Sequence, residues 1–247
     1  MGRVLTDRAG GLLVAFEGDL PPPNTDLTIL AAPEPVRPPR AGVGTVCFTP
    51  GTRIRTPAGS SPVEDLYPGD VVLTRDDGPQ PIEWMALKHV SGARLYAMPQ
   101  MRPVRIRTGA LEADTPRPDL VVSPDHRVLL EGDAARRLWG EPEVLARAAD
   151  LVGEPGIARD HAAGEAVYIH MLLGRHHVVW ANEVPCETFH PADAELSQLS
   201  EVDREDLLAA VPGIDRLPDR YGPHARRCVT PADLALMRHR GAPAWLG

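Results

Sequence analysis

The sequence predicts a mainly β protein: a short leader (1–46), a β domain (47–191) and a small α-helical tail (192–247). Three observations predict it. Short apolar or alternating runs recur between Gly- and Pro-marked turns from residue 52 onward. A proline-rich segment separates them from the N-terminal apolar runs. Helical spacing emerges only after Pro191.

In the leader, Leu12–Phe16 and Leu27–Leu30 read as two short strands, and Pro33, Pro35, Pro38 and Pro39 as a semi-extended linker. So small a segment cannot bury a core of its own. From Cys47 the texture changes. Thr52–Thr56, Val71–Thr74, Pro81–Met85, Val104–Arg107, Leu120–Val122 and Val128–Leu130 are short strands closed by turns such as Pro68-Gly69-Asp70 and Asp76-Asp77-Gly78. Val167–Leu173 and Val178–Ala181 read as a hairpin across Gly174–His177. In the tail, 194–199, 203–211 and 234–240 are helical, the last opened by Thr230-Pro231. Val63–Val71 and Arg147–Ile157 share an Asp-Leu, Gly, aliphatic order, which suits two related halves or two ordinary turns alike.

Composition narrows the function. A formal charge of −8 with no dense Lys/Arg run argues against nucleic acid and against an acidic membrane surface as partners. No apolar run is long enough to span a bilayer. The N-terminus lacks the basic-then-apolar pattern of a secretion signal, so cytoplasmic synthesis is expected, with a non-classical export route left open. Three widely spaced cysteines leave at least one thiol free. Aromatic residues are only 4%, so the core must be aliphatic.

The chemistry centres on Cys47, at the junction of linker and β domain. It is either a small buried hydrophobe or a nucleophile toward its own upstream carbonyl. Attack on Val46 C=O through a five-membered ring converts the Val46-Cys47 amide into a thioester. Because the amide is the more stable link, the fold must strain it and protonate its nitrogen. The donor should titrate near neutrality, which points to histidine. Of nine histidines, His126 is best placed, after the turn Ser123-Pro124-Asp125, with Ser123 able to steady the bond or its oxyanion. The other reading of His126 is a turn histidine paired with Asp125. His170 and His176 can face one pocket, with His177 on the opposite face. A metal site drawing on these histidines and Cys186 is the rival reading. Neither HExxH nor paired CxxC is present, so no metal or cofactor is expected.

Cys47–Ile54, Leu66–Val72, Val122–Leu129 and Val167–Thr188, in that order, resemble the Hint superfamily of Hedgehog and intein self-processing domains, most closely its bacterial Hint-domain relatives. The resemblance spans about 47–191. It implies an all-β horseshoe with pseudo-two-fold symmetry, Cys47 as nucleophile of an N-to-S acyl shift, and His126 as the histidine of a Thr-x-x-His motif in which Ser123 replaces Thr. Inteins end in His-Asn, and Asn182–Thr188 holds no such pair, so cleavage by asparagine cyclisation is not expected. The implied substrate is the chain's own N-terminal segment, with water or an amine resolving the thioester. A non-catalytic Hint-fold assembly module is the alternative. Val46 is β-branched and crowds its carbonyl.

Overall fold

The computed structural model describes residues 2–6, 12–16, 46–112, 114–194 and 196–239. Contacts divide the chain into two units, Met1–Val43 and Gly44–Gly247. In the first, β1 (Gly2–Thr6) and β2 (Leu12–Phe16) pair antiparallel, Gly2 opposite Phe16 and Thr6 opposite Leu12. The expected strand Leu27–Leu30 and the proline linker lie outside the described residues.

The second unit is mainly β with a few short helices. In chain order it holds β3 (Arg53–Thr56), β4 (Gly59–Pro62), β5 (Val71–Thr74), β6 (Gly78–Val90), α1 (Gly92–Ala97), β7 (Val104–Ile106), β8 (Leu120–Val122), β9 (Arg127–Glu131) and α2 (Asp133–Trp139). It continues with β10 (Glu143–Arg147), β11 (Ile157–Arg159), β12 (Ala166–Leu173), β13 (Val178–Ala181), β14 (Val184–Glu187), α3 (Glu201–Ala210), β15 (Arg227–Cys228) and α4 (Pro231–His239). The main sheet runs β12-β6-β5-β13-β14-β9-β10-β15, with β3 joining β13 and β4, and a second sheet runs β11-β7-β8.

The pattern of each strand explains its place. β6 buries Ile82, Trp84, Ala86 and Val90 while Glu83, Leu87 and His89 face solvent, the two-residue alternation of a strand covered on one face. β12 is buried along nearly its whole length, an apolar run interrupted by His170, which is buried with it. The echo seen in the sequence has a structural counterpart. Val63–Asp65 and Ala148–Leu151 are both 3-10 turns, each followed by a glycine of positive φ (Gly69 at 97°, Gly153 at 104°) and a strand.

Three expectations need correction. Val167–Leu173 and Val178–Ala181 do not form a hairpin: β12 pairs along β6, with a bulge at Leu172/Leu173, while β13 pairs with β14, β5 and β3. The hairpin is β13–β14. Its two-residue turn is Asn182-Glu183, at φ 48° and 71°, the left-handed pair that matches strand twist. Pro185 hid β14, since proline ordinarily argues against an inner strand. Helices are also not confined to the tail. α1 is capped by Ser91, and α2 ends on Gly140 at φ 76°. Finally, the segment 194–199 is not α-helical; Leu196–Gln198 is a 3-10 turn, and the helix begins after Ser200, whose Oγ accepts from the Asp203 N–H.

The tail is built into the second unit. β15 adds a parallel strand beside β10. Leu207, Ile214 and Tyr221 pack with Val46, Trp84, Leu172 and Phe189 in one apolar cluster. Each such side chain contributes roughly 1.5–3 kcal/mol by leaving water. Among the described residues no helix is long and apolar enough to cross a membrane.

Candidate active site

Phe48 is where the two sheets meet. It bridges Val122 of β8 and Ile169 of β12, exchanging backbone hydrogen bonds of 2.9 Å with Ile169 in both directions. The residue before it is thereby held between the end of β8 and the middle of β12. On the β8 side, the Cys47 N–H donates to Ser123 Oγ at 3.0 Å, and the Ser123 N–H donates back to the Cys47 carbonyl at 3.1 Å. Ser123 thus holds the nitrogen of the Val46-Cys47 bond.

On the β12 side stands His170. Its Nδ1 is 3.0 Å from the Val46 carbonyl oxygen. A carbonyl can only accept, so this contact puts the ring proton on Nδ1 and leaves a lone pair on Nε2. The Cys47 Sγ lies against the same ring, 3.3 Å from Nδ1 and 3.5 Å from Nε2. Phe189 meets the ring edge-on at 4.8 Å and Trp84 stacks at 5.9 Å, which fixes its orientation. Burial pushes the His170 pKa down to about 4 against the opposing pull of the Val46 carbonyl, so the imidazole is neutral at pH 7.

His126 reaches the same region by a different route. The Ser123–His126 turn closes through a 3.1 Å hydrogen bond from the His126 N–H to the Ser123 carbonyl. The ring tilts against Phe48 at 4.5 Å. Its pKa is also pushed to about 4 by burial, opposed by Glu187 and by the Cys47 backbone. Neither ring nitrogen has a hydrogen-bond partner among the described residues. Asp125 does not pair with it; that carboxylate binds Arg147 at 3.2 Å.

The sulfur lies in the interior. Cys47 is 1% exposed and packs with Val90, Leu95, Ala166 and Tyr168; Val46 is 4% exposed. Burial raises the thiol well above its ordinary pKa, with Lys88 pulling the other way.

The structure therefore gathers Val46, Cys47, Ser123, His126 and His170. His176 sits in a second group. Its Nδ1 accepts from the Ala225 N–H at 2.8 Å, and its Nε2 is 3.2 Å from Glu187 Oε2. His177 turns away to Asp77 at 3.3 Å. Burial would raise Glu187, but Arg127 (3.0 Å) and His176 outweigh it and hold the carboxyl below the usual range. Sequence reasoning missed Glu187, Arg127 and Lys88. Glu187 alone carried a signal, as an acidic residue inside an apolar run.

His190, Asp193 and His224 place one ligand-capable atom each within 4.8 Å of one another. Those atoms are already engaged. His190 Nδ1 accepts from the Ala192 N–H and its Nε2 donates to the Gly222 carbonyl, while Asp193 binds His224 and Arg127 at 2.7 Å each. Cys186 is a core residue and Cys228 is half-buried with its thiol pushed up to about 12 by burial. A cavity of ≈ 880 Å³ lined by Arg75, Glu131 and Trp180 contains none of the Cys47 group; one of ≈ 360 Å³ has His170 in its wall.

Among solved structures, the chain is similar to a bacterial intein-like domain from Clostridium thermocellum at 14% identity, covering 59% of this chain and all of that one, with a TM-score of 0.41. It is similar also to the gp41-1 intein (14% identity; 57% and 97% covered; TM-score 0.38) and the MchDnaB-1 intein (13%; 56% and 98%; 0.35). No curated protein matches the sequence. The family profile described as the Hint domain matches residues 46–193, more than half of the chain and a span that begins at the residue before the buried thiol. The chain belongs to the Hint-domain family and carries, in general terms, a self-processing Hint domain.

Proposed function

We propose that this Hint domain cuts its own chain at Val46-Cys47 through a thioester made by N-to-S acyl shift. The observation that carries the reading is one imidazole touching both reacting groups: His170 Nδ1 at 3.0 Å from the Val46 oxygen, and its ring within 3.5 Å of Cys47 Sγ. His170 Nε2 takes the thiol proton and the sulfur attacks the Val46 carbonyl carbon. Nδ1–H supports the oxyanion. On collapse the C–N bond breaks, and the nitrogen held by Ser123 takes the proton that His170 received from the thiol, with His126 beside that bond as the relay. A base with a pKa near 4 facing a thiol raised by burial makes the step slow, which a single turnover tolerates.

Water or an amine then resolves the thioester, freeing residues 1–46. Asparagine cyclisation has no support: the Asn182 side chain accepts from the Arg53 N–H at 2.7 Å and donates to the Asp119 carbonyl at 2.9 Å, so it serves the β13–β14 turn. The burial of Cys47 favours one other reading, a Hint scaffold kept for assembly. Incubation with dithiothreitol decides between them. Processing predicts a new chain starting at Cys47, absent in Cys47→Ala; persistence of full-length protein in both would leave the scaffold reading.

A further inference from the structure

The buried end of β14 carries a charge that the cleavage steps above do not use. Glu187 closes that strand and is fully buried, although a carboxylate leaves water only at a cost that its partners must offset. Oε1 accepts from the backbone N–H of Arg127 at 2.9 Å and Oε2 from the Arg127 guanidinium at 3.0 Å, while His176 Nε2 faces Oε2 at 3.2 Å. The guanidinium also reaches Asp193 at 2.7 Å, so Arg127 has a second carboxylate without Glu187.

The contact to the backbone is the one that bears on cleavage. β9 and β14 are paired at a single position, Cys186 opposite Val128. At the neighbouring position of β9, where the ladder would continue, the Arg127 N–H donates to the Glu187 carboxylate instead. That N–H belongs to the peptide unit that leaves His126. The unit is held on both sides: its carbonyl, that of His126, accepts from the Ala148 N–H at 2.9 Å, and its N–H is held by Glu187. The His126 ring supplies no such anchor. Neither ring nitrogen has a hydrogen-bond partner among the described residues, and Phe48 tilts against the ring at 4.5 Å. Its aim is therefore set largely by the backbone that carries it.

We propose that Glu187 is a positioning residue for the cleavage: by holding the His126–Arg127 peptide it keeps the His126 ring beside the nitrogen that leaves. The inference rests on the processing reading above. The contacts of Glu187 include no reacting atom, so it acts through His126. A misplacement of about 1 Å in such a group costs up to about 10²-fold in rate. Charge can be separated from position, because Glu187 and Arg127 act on the His126 ring with opposite signs. Removing both together offsets one against the other and isolates the hold.

The test is cleavage of the full chain by hydroxylamine, read by intact mass, with urea unfolding of each variant alongside. Arg127→Met and Glu187→Gln each leave an acceptor for the N–H at position 127. They should lose no more than a few-fold in rate although they lose stability; Glu187→Gln, with Asp193 still on Arg127, is the milder of the two. Arg127→Met combined with Glu187→Met regains stability but removes the acceptor, and should cleave about tenfold or more slower than either. Rate and stability then rank the variants in opposite orders, which packing alone does not produce. In a His126→Ala chain the same pair of substitutions should cause no further slowing, because the group it positions is gone. A double variant as fast as wild type, rates that fall in step with stability, or an equal further loss without His126 overturns the role of Glu187 while leaving processing intact. Absence of any cleavage of wild type by hydroxylamine overturns the processing reading and this role with it.

Discussion

Replacing His170 separates its two roles. The ring offers Nδ1–H to the Val46 oxygen and Nε2 to the Cys47 thiol. Loss of one oxyanion donor costs roughly 10²–10³ in rate, and loss of a general base roughly 10²–10⁴. His170→Ala should therefore reduce hydroxylamine-driven cleavage by about 10⁴ or more. In Asn, the amide nitrogen stands where Nδ1 stood, so His170→Asn keeps the donor and lacks the base. It should recover about 10² of that loss. The assay is the first-order rate of new N-terminus formation by intact mass. Thermal melts run alongside, because emptying the space between Phe189 and Trp84 costs about 2–4 kcal/mol of stability. A folded His170→Ala protein that cleaves at the wild-type rate would refute the assignment.

Two predictions concern stability. His126 and His170 have folded pKa values of about 4, below the 6.5 of a free imidazole. His190 is pushed to about 4 as well, by burial and His224. Above pH 6.5 these rings are neutral in both states and the native state is fully favoured; between 6.5 and 4 the unfolded chain binds three protons on them that the native state does not. Stability should fall there by up to about 4 kcal/mol per pH unit, seen as a falling urea midpoint; a midpoint unchanged from pH 7 to 5 would contradict neutral burial. Arg127 neutralises the fully buried Glu187, so Arg127→Met should cost about 3–5 kcal/mol in urea unfolding. Arg127→Met combined with Glu187→Met should regain most of it, and equal losses in the single and double variants would count against the pairing.

Much of the site was legible because its residues sit at strand ends next to turns: Cys47 before Pro50-Gly51, Ser123 and His126 around Pro124. The division of labour between the histidines was not. Sequence placed a proton donor at His126 and grouped His170 with His176. The carbonyl contact falls to His170 only because Phe48 docks against Ile169, a pairing across 121 positions that no local pattern encodes. His176 parted from His170 for a related reason. The strand carrying His170 runs along β6, and His176 lies beyond it in the Gly174–His177 connection, where Glu187 and Ala225 meet it. The tail looked like an attachment because its helices are short, yet Leu207 and Tyr221 cover Val46, and Gln198 reaches Lys88. Such contacts depend on register and docking rather than on periodicity.

The most direct test is the mass of each product after the wild-type chain meets hydroxylamine. The account predicts two fragments that meet at one bond, an N-terminal piece ending in the hydroxamate of Val46 and a remainder starting at Cys47, neither formed by Cys47→Ala. An intact chain, or a cut at any other bond, would contradict it.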